Sequence, residues 1–355
     1  MAKPLSEQVV VITGASTGIG RAAAAAFAAR GAKVVAAARN QGALESLVDD
    51  VRSAGGEALA VPTDVADPAA VRALADAAEA AYGRIDTWVN NAGIAIWGRI
   101  EDVTDEEFDR VMRVNYLGQV HGVHAALPAL RRAGGGGIIG VSSVESIRTV
   151  PLQAPYAATK FALRAFYDAL RIELTQDGDT TISVTTILPA AIDTPLYDHG
   201  RSKMGALPKP PPPVYAPELV ADAILSAAER PRREVPVGDS ALGFYLGQRV
   251  APALADAFMG VRALAKKSQQ HDRADNGVDN LDGALGEPGR VRGSYTGPVF
   301  RHSLLTTLLA RVPRPGEFLT SAVRSANARS ANARRANPAE DRADPPAVAA
   351  GRAAQ

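Results

Sequence analysis

From residue 8 to about 237, short β-branched runs alternate with Ala-rich stretches of helical period. The runs are QVVVIT, KVVAAA, EALAVPT, DTWVNN, GIIGVSS, TISVTTIL and REVPVG. Apolar runs of this length, each followed by a helical stretch, predict a parallel sheet buried on both faces. The fold class expected is α/β, a doubly wound parallel sheet of about seven strands with helices on both faces. GRAAAAAFAARG is a helix closed by Gly31, and DPAAVRALADAAEAAYG is opened by Asp67 with Pro68 in its first turn. Residues 104–134 predict one long helix, opened by Thr104 with Glu107 three residues on in a capping box.

After residue 238 the pattern changes. Residues 239–267 predict a helical extension with Pro252 as a break or a start, and 268–298, rich in Gly, Asp and Asn, predict a flexible linker. A short apolar helix is expected over 299–312, and a disordered tail carrying SANAR twice over 313–355. The main domain is thus 1–238. The apolar pieces at 241–264 and 303–312 are expected to pack on it, with peripheral membrane contact as an alternative.

Composition narrows the function. Of 355 residues, 46% are hydrophobic, enough for a sizeable core, and 39 Lys plus Arg against 38 Asp plus Glu leave a net charge of +1. So balanced a chain offers no footprint for nucleic acid. There is no cysteine, which removes disulfides and thiolate chemistry. MAKPLSEQVVVITG lacks the three regions of a signal peptide, and no 18-residue stretch is free of charge, Gly and Pro, so no transmembrane segment is expected. A cytoplasmic location fits.

The first strand runs straight into TGASTGIG, Thr13 to Gly20, which opens the first helix. Glycines there let the backbone approach a pyrophosphate, and the helix N-terminus attracts it. A dinucleotide site on a Rossmann fold follows. Where an NAD site usually has an acidic residue at the end of the second strand, this chain has Ala38 and then Arg39. A guanidinium can hold a 2′-phosphate, so NADP is favoured and NAD is the lesser alternative.

Together, this loop, NNAG (Asn90 to Gly93) and YAATK (Tyr156 to Lys160) resemble the short-chain dehydrogenase/reductase family over roughly residues 5–237. By that resemblance Thr13, Gly14, Ser16, Thr17, Gly18, Ile19 and Gly20 form the cofactor loop. Asp64 and Val65 contact the adenine, and Asn90, Asn91, Ala92 and Gly93 flank the cofactor. Pro189, Ile192 and Thr194 fall in its PGxxxT stretch, where Ala190 replaces the usual glycine. It also implies a catalytic tetrad of Asn115, Ser143, Tyr156 and Lys160. Ser143 is chosen over Ser142 because it stands 13 residues before Tyr156.

The chemistry of these types is a hydride transfer with acid/base help at oxygen. A free tyrosine titrates near ~10, too high for a base, and Lys160, one turn on, is expected to lower it. Ser143 would orient the substrate oxygen, and Asn115 would serve a proton relay, as the family implies. The expected activity is an NADP-dependent oxidoreductase interconverting a secondary alcohol and a ketone, or an alcohol and an aldehyde. The rival is a catalytically inactive NADP(H)-binding sensor or scaffold. The partner is a small-molecule alcohol or carbonyl compound, and family habit implies a homodimer or homotetramer. His121 and His124 have no companion ligands, so no metal is expected. Glu145 and Arg148 read as a solvent-facing ion pair, or else as a carboxylate for a polar substrate. PKPPPP, residues 208–213, borders a substrate lid or is a plain linker.

Overall fold

The structure is a computed structural model that describes residues 3–261, 270–275 and 277–311, with single positions at 323 and 327. The seven expected runs all form strands: Val9–Thr13 (β1), Lys33–Ala38 (β2), Glu57–Pro62 (β3), Thr87–Asn90 (β4), Gly136–Val141 (β5), Ile182–Pro189 (β6) and Glu234–Val237 (β7). They join in one parallel sheet ordered β7-β6-β5-β4-β1-β2-β3. The strand order reverses between β1 and β4, and at such a switch point a crevice opens beyond the strand ends. The glycine loop and NNAG are therefore neighbours.

Alternation along β1 feeds two cores. Val10 and Ile12 face the helices Gly18–Ala29 (α1), Gln41–Ser53 (α2) and the later Pro217–Glu229, through Phe27, Leu44, Leu47 and Ile224. Val9 and Val11 face the opposite layer, where Leu74, Leu130, Leu163 and Tyr167 come from Pro68–Tyr82 (α3), Gly118–Arg132 (α5) and Ala154–Gln176 (α6). Side chains two apart on a strand share a face, so this doubling explains why Val9 to Ile12 form an unbroken apolar run.

The long helix expected over 104–134 is divided. Asp105–Met112 (α4) carries the Thr104/Glu107 capping box, Arg113–Leu117 widens into a π-turn, and α5 follows. With Pro217–Glu229 as α7, the chain continues through Ser240–Val250 (α8), Pro252–Met259 (α9) and, later, Leu304–Arg311 (α10). The last is tied down where Thr306 Oγ1 accepts from Gly238 N at 3.0 Å and Ser303 Oγ donates to Asp239 Oδ1 at 3.0 Å. Leu246, Val250 and Leu254 on the outer side of α8 and α9 stay exposed. Among the described residues no helix is long and apolar enough to cross a membrane. The SANAR tail lies almost wholly outside the described residues.

Candidate active site

A cavity of about 550 Å³ opens at the carboxyl ends of the strands. Of the residues expected to bind cofactor or catalyse, all line it except Thr13, Gly20, Asn90 and Asn115. Gly20 lies beneath the loop, where a Cβ would stand 2.2 Å from Gly14 O, so only glycine lets α1 approach so closely. Gly14 has φ +68°, and a Cβ there would meet Ala92 Cα at 2.7 Å. The loop is clamped to the end of β4: Asn91 Nδ2 donates to Thr13 O at 3.0 Å, and Thr13 Oγ1 accepts from Asn91 N at 3.0 Å. Asn90 is different. It is buried and does not flank the cleft: its Nδ2 donates to Gln119 O and Tyr167 Oη, both at 3.1 Å, and its Oδ1 accepts from Trp88 Nε1 at 2.8 Å. Its task is to lock β4 to α5 and α6, because strand alternation turns it away from Asn91.

Beyond β2, Arg39 Nη2 donates to Asn280 O at 2.6 Å, while its Nη1 is buried with no protein partner. Asp64 pairs with Arg110 at 3.1 Å. The Asp64 carboxyl is held below its usual range: burial alone would raise it, and the Ala66 amide, Arg110 and Arg39 together outweigh that.

The stretch 277–298 runs across this end of the cavity. Asn40 Nδ2 donates to Leu285 O at 2.5 Å and Glu287 O at 2.9 Å, and Gly18 N donates to Arg290 O at 2.9 Å. Arg201 grips the strap through Asp279 at 2.8 Å and Asp282 at 2.9 Å, and reaches Glu107 at 3.2 Å. Asn280, Ala284, Leu285 and Glu287 consequently line the cavity. Sequence reasoning missed them, since nothing in a Gly- and Asp-rich segment marks a wall.

The tetrad residues come from three places in the fold: the π-turn, the end of β5 and the start of α6. Asn115 lies in the π-turn, and such turns recur at functional sites. The widened turn brings its Oδ1 to within 2.8 Å of Ile94 N and its Nδ2 to within 2.9 Å of Ile94 O. Ser143 follows β5, and its Oγ accepts from Glu145 N at 3.1 Å. Tyr156 and Lys160 rise from the first turns of α6 with the ammonium 5.2 Å from the ring centroid, and Lys160 Nζ donates to Val141 O at 3.1 Å. Ser142 Oγ donates to Lys160 O at 3.1 Å, a structural contact.

The electrostatics depart from the sequence reading. Burial pushes the Tyr156 phenol up, the Glu145 carboxyl adds to the rise, and a hydrogen bond with Ser143 opposes both. The direction is opposite to the lowering expected from Lys160. Desolvation of a phenolate dominates, and the Lys160 ammonium is itself brought down to about 8 by burial, against the pull of Glu145.

Glu145 and Arg148 do not form a solvent-facing pair. Both are buried. Arg148 Nη1 donates to Gln248 Oε1 at 2.8 Å and Nη2 to Asp256 Oδ1, so it anchors α8 and α9 over the site. Phe244, Phe258 and Met259 of these helices join Leu196, Tyr197 and Pro211 to Pro213 in the wall, which brings the extension and the proline run to the cavity. Glu145 lines the cavity too, and burial pushes its carboxyl up to about 8, with Lys160 opposing. His121 is occupied at Val65 O, 2.9 Å away. Among the described residues no three His, Cys, Asp or Glu side chains are grouped to hold a metal ion.

A glycine cradle at the switch point, with a tyrosine and a lysine one helical turn apart beside it, defines a class of nicotinamide-dependent oxidoreductases. The family model for the short chain dehydrogenase matches residues 8–205, and the chain belongs to that family. It is 40% identical over 276 residues to the uncharacterized oxidoreductase YxnA of Bacillus subtilis, covering 77% of each chain. Among solved structures it resembles a short chain dehydrogenase/reductase from Burkholderia phymatum in complex with NAD, with a TM-score of 0.62, 28% identity, and 68% of this chain and 93% of that one covered. An alcohol dehydrogenase from Thermococcus sibiricus complexed with 5-hydroxy-NADP gives a TM-score of 0.57 at 28% identity, over 65% of this chain and 95% of that one.

Proposed function

We propose that the protein is an NADP-dependent oxidoreductase that interconverts a secondary alcohol and a ketone, or an alcohol and an aldehyde. The carrying observation is that Ser143, Tyr156 and Lys160 line the same cavity as the glycine cradle. The residues present fit a nicotinamide dinucleotide: the loop glycines leave room that a Cβ would fill, and Arg39 Nη1 is a buried donor without a partner, suited to a 2′-phosphate. Gly14, Ser16, Thr17, Gly18 and Ile19 would hold its pyrophosphate end. Arg39, Asp64 and Val65 would hold the adenosine, and Asn91, Ala92, Gly93, Pro189, Ile192 and Thr194 the nicotinamide half. When bound, the cofactor supplies or accepts the hydride.

The protein's own part is proton chemistry at the substrate oxygen. In the reducing direction Tyr156, which lines the cavity beside Ser143 and Lys160, gives its proton to the carbonyl oxygen as that oxygen takes the π-electron pair, and in the oxidising direction it takes the proton back. Ser143 Oγ donates a hydrogen bond to the same oxygen, where preorganised donors contribute about 2–4 kcal/mol. Lys160, held to Val141 O, places a positive charge beside the phenolate left behind. Asn115, clamped to Ile94, serves the relay that returns the proton.

The same reading makes the enzyme a cytoplasmic homodimer or homotetramer, with Phe161 and Ile172 of α6 and Leu117 of the π-turn as exposed apolar contacts. The test is to mix the purified protein with NADPH and a panel of ketones and aldehydes and follow cofactor absorbance. Turnover is expected. NADPH binding without turnover on the whole panel would favour the sensor reading.

A further inference from the structure

The proton transfer just described does not use Glu145, yet its carboxyl lies in the same cavity. Burying a carboxyl is costly unless its oxygens are partnered. One of them is held. In the orientation that satisfies its neighbours, the Gln153 amide nitrogen donates to Glu145 Oε1 at 3.3 Å, and its oxygen accepts from Trp97 Nε1 at 3.1 Å. Trp97 is fully buried, so this chain fixes the carboxyl in place. Glu145 Oε2 is equally buried and has no protein partner.

We propose that Glu145 Oε2 is the specificity contact for a neutral hydroxyl carried beside the reacting carbonyl, so that the substrate is a hydroxy ketone or hydroxy aldehyde on an otherwise apolar body. The inference rests on the oxidoreductase reading and deepens it. Apolar walls from Val144, Val150, Leu196, Phe244 and Phe258 account for the body of the molecule. A hydroxyl is favoured over an ammonium for two reasons. The buried Lys160 ammonium acts on the same carboxyl and repels a second cation, and a hydroxyl both donates and accepts, so it suits Glu145 in either protonation state. A site whose buried polar group is left unpaired by an analogue discriminates strongly against that analogue.

The test uses the full chain, NADPH and a matched pair of probes, 2-hydroxypropiophenone and propiophenone. Wild type is expected to prefer the hydroxy ketone by about 10-fold or more in kcat/KM, mainly through KM. In Glu145→Leu the ratio within the pair should fall toward one. The isosteric Glu145→Gln, whose amide can still pair with a hydroxyl, should keep part of it, and it carries the test if the leucine variant does not fold. A ratio near one in wild type, or a ratio unchanged in both variants, would overturn the assignment of Glu145 alone. Reduction of neither probe, nor of any other carbonyl compound in the panel, would overturn the oxidoreductase reading and this inference with it.

Discussion

Replacing Arg39 by alanine tests the cofactor preference at one side chain. Asn280 O holds Nη2 at 2.6 Å and aims the fork, while Nη1 is buried and unpartnered. Burial is the largest influence on this guanidinium, followed by the carboxylate of Asp64, the charge of Arg110 and the carboxylate of Asp282. Arg110 is already committed to Asp64 at 3.1 Å and to Leu281 O at 3.0 Å, so Arg39 is the cation left for a 2′-phosphate. A charge-assisted hydrogen bond contributes about 1.5–3 kcal/mol, which corresponds to roughly 10- to 150-fold. The assay is the ratio of kcat/KM for NADPH over NADH, backed by calorimetric titration with 2′,5′-ADP against 5′-AMP. Arg39→Ala should lower both ratios by that factor by weakening the phosphorylated ligand, and Arg39→Asp should favour NADH. An unchanged ratio, or a loss produced by Arg110→Ala instead, would refute the argument for Arg39.

Two further outcomes follow from the buried charges and the strap. Burial pushes the Glu145 carboxyl up to about 8 from its ordinary 4.5, so between those values the folded form holds a proton that the unfolded form has lost. Its contribution to stability therefore falls as pH rises through that window, by a few kcal/mol at most at ~1.4 kcal/mol per pKa unit. Glu145→Gln should gain in melting temperature relative to wild type between pH 5 and pH 8, and a difference constant with pH would contradict this. Arg201 grips the strap through Asp279 and Asp282. Arg201→Ala should cost roughly 1–2 kcal/mol of local stability, read as faster proteolysis within 277–298 and faster cofactor release; unchanged rates would show that the strap does not depend on it.

The sheet was legible because its five inner strands are buried on both faces and so leave largely apolar runs. The nucleotide loop was legible because close backbone approach demands glycine at fixed positions, as Gly14 and Gly20 show. Three features were not. The π-turn at Arg113–Leu117 preserves helical composition and changes only the hydrogen-bond register, so the chain reads as one helix. Arg148 looks exposed until Gln248 and Asp256, a hundred residues on, are folded against it. The strap is held by carbonyls and carboxylates, with Leu281 as a lone deeply buried apolar anchor, and such contacts leave no periodic signal. The sign of the Tyr156 shift also escaped, because the sequence places a lysine one turn away but does not show the depth of burial.

The central claim, that Tyr156 gives a proton to a substrate oxygen while a hydride reaches the adjoining carbon, is tested most directly by isotope transfer. A carbonyl compound from the panel is incubated with NADPH deuterated at the nicotinamide C4, and the product is examined by mass spectrometry for wild type and Tyr156→Phe. Deuterium on the carbinol carbon with wild type, and a loss of about 10²-fold or more in rate with the variant despite intact NADPH binding, is the predicted result. Deuterium transfer at an undiminished rate in Tyr156→Phe would contradict it.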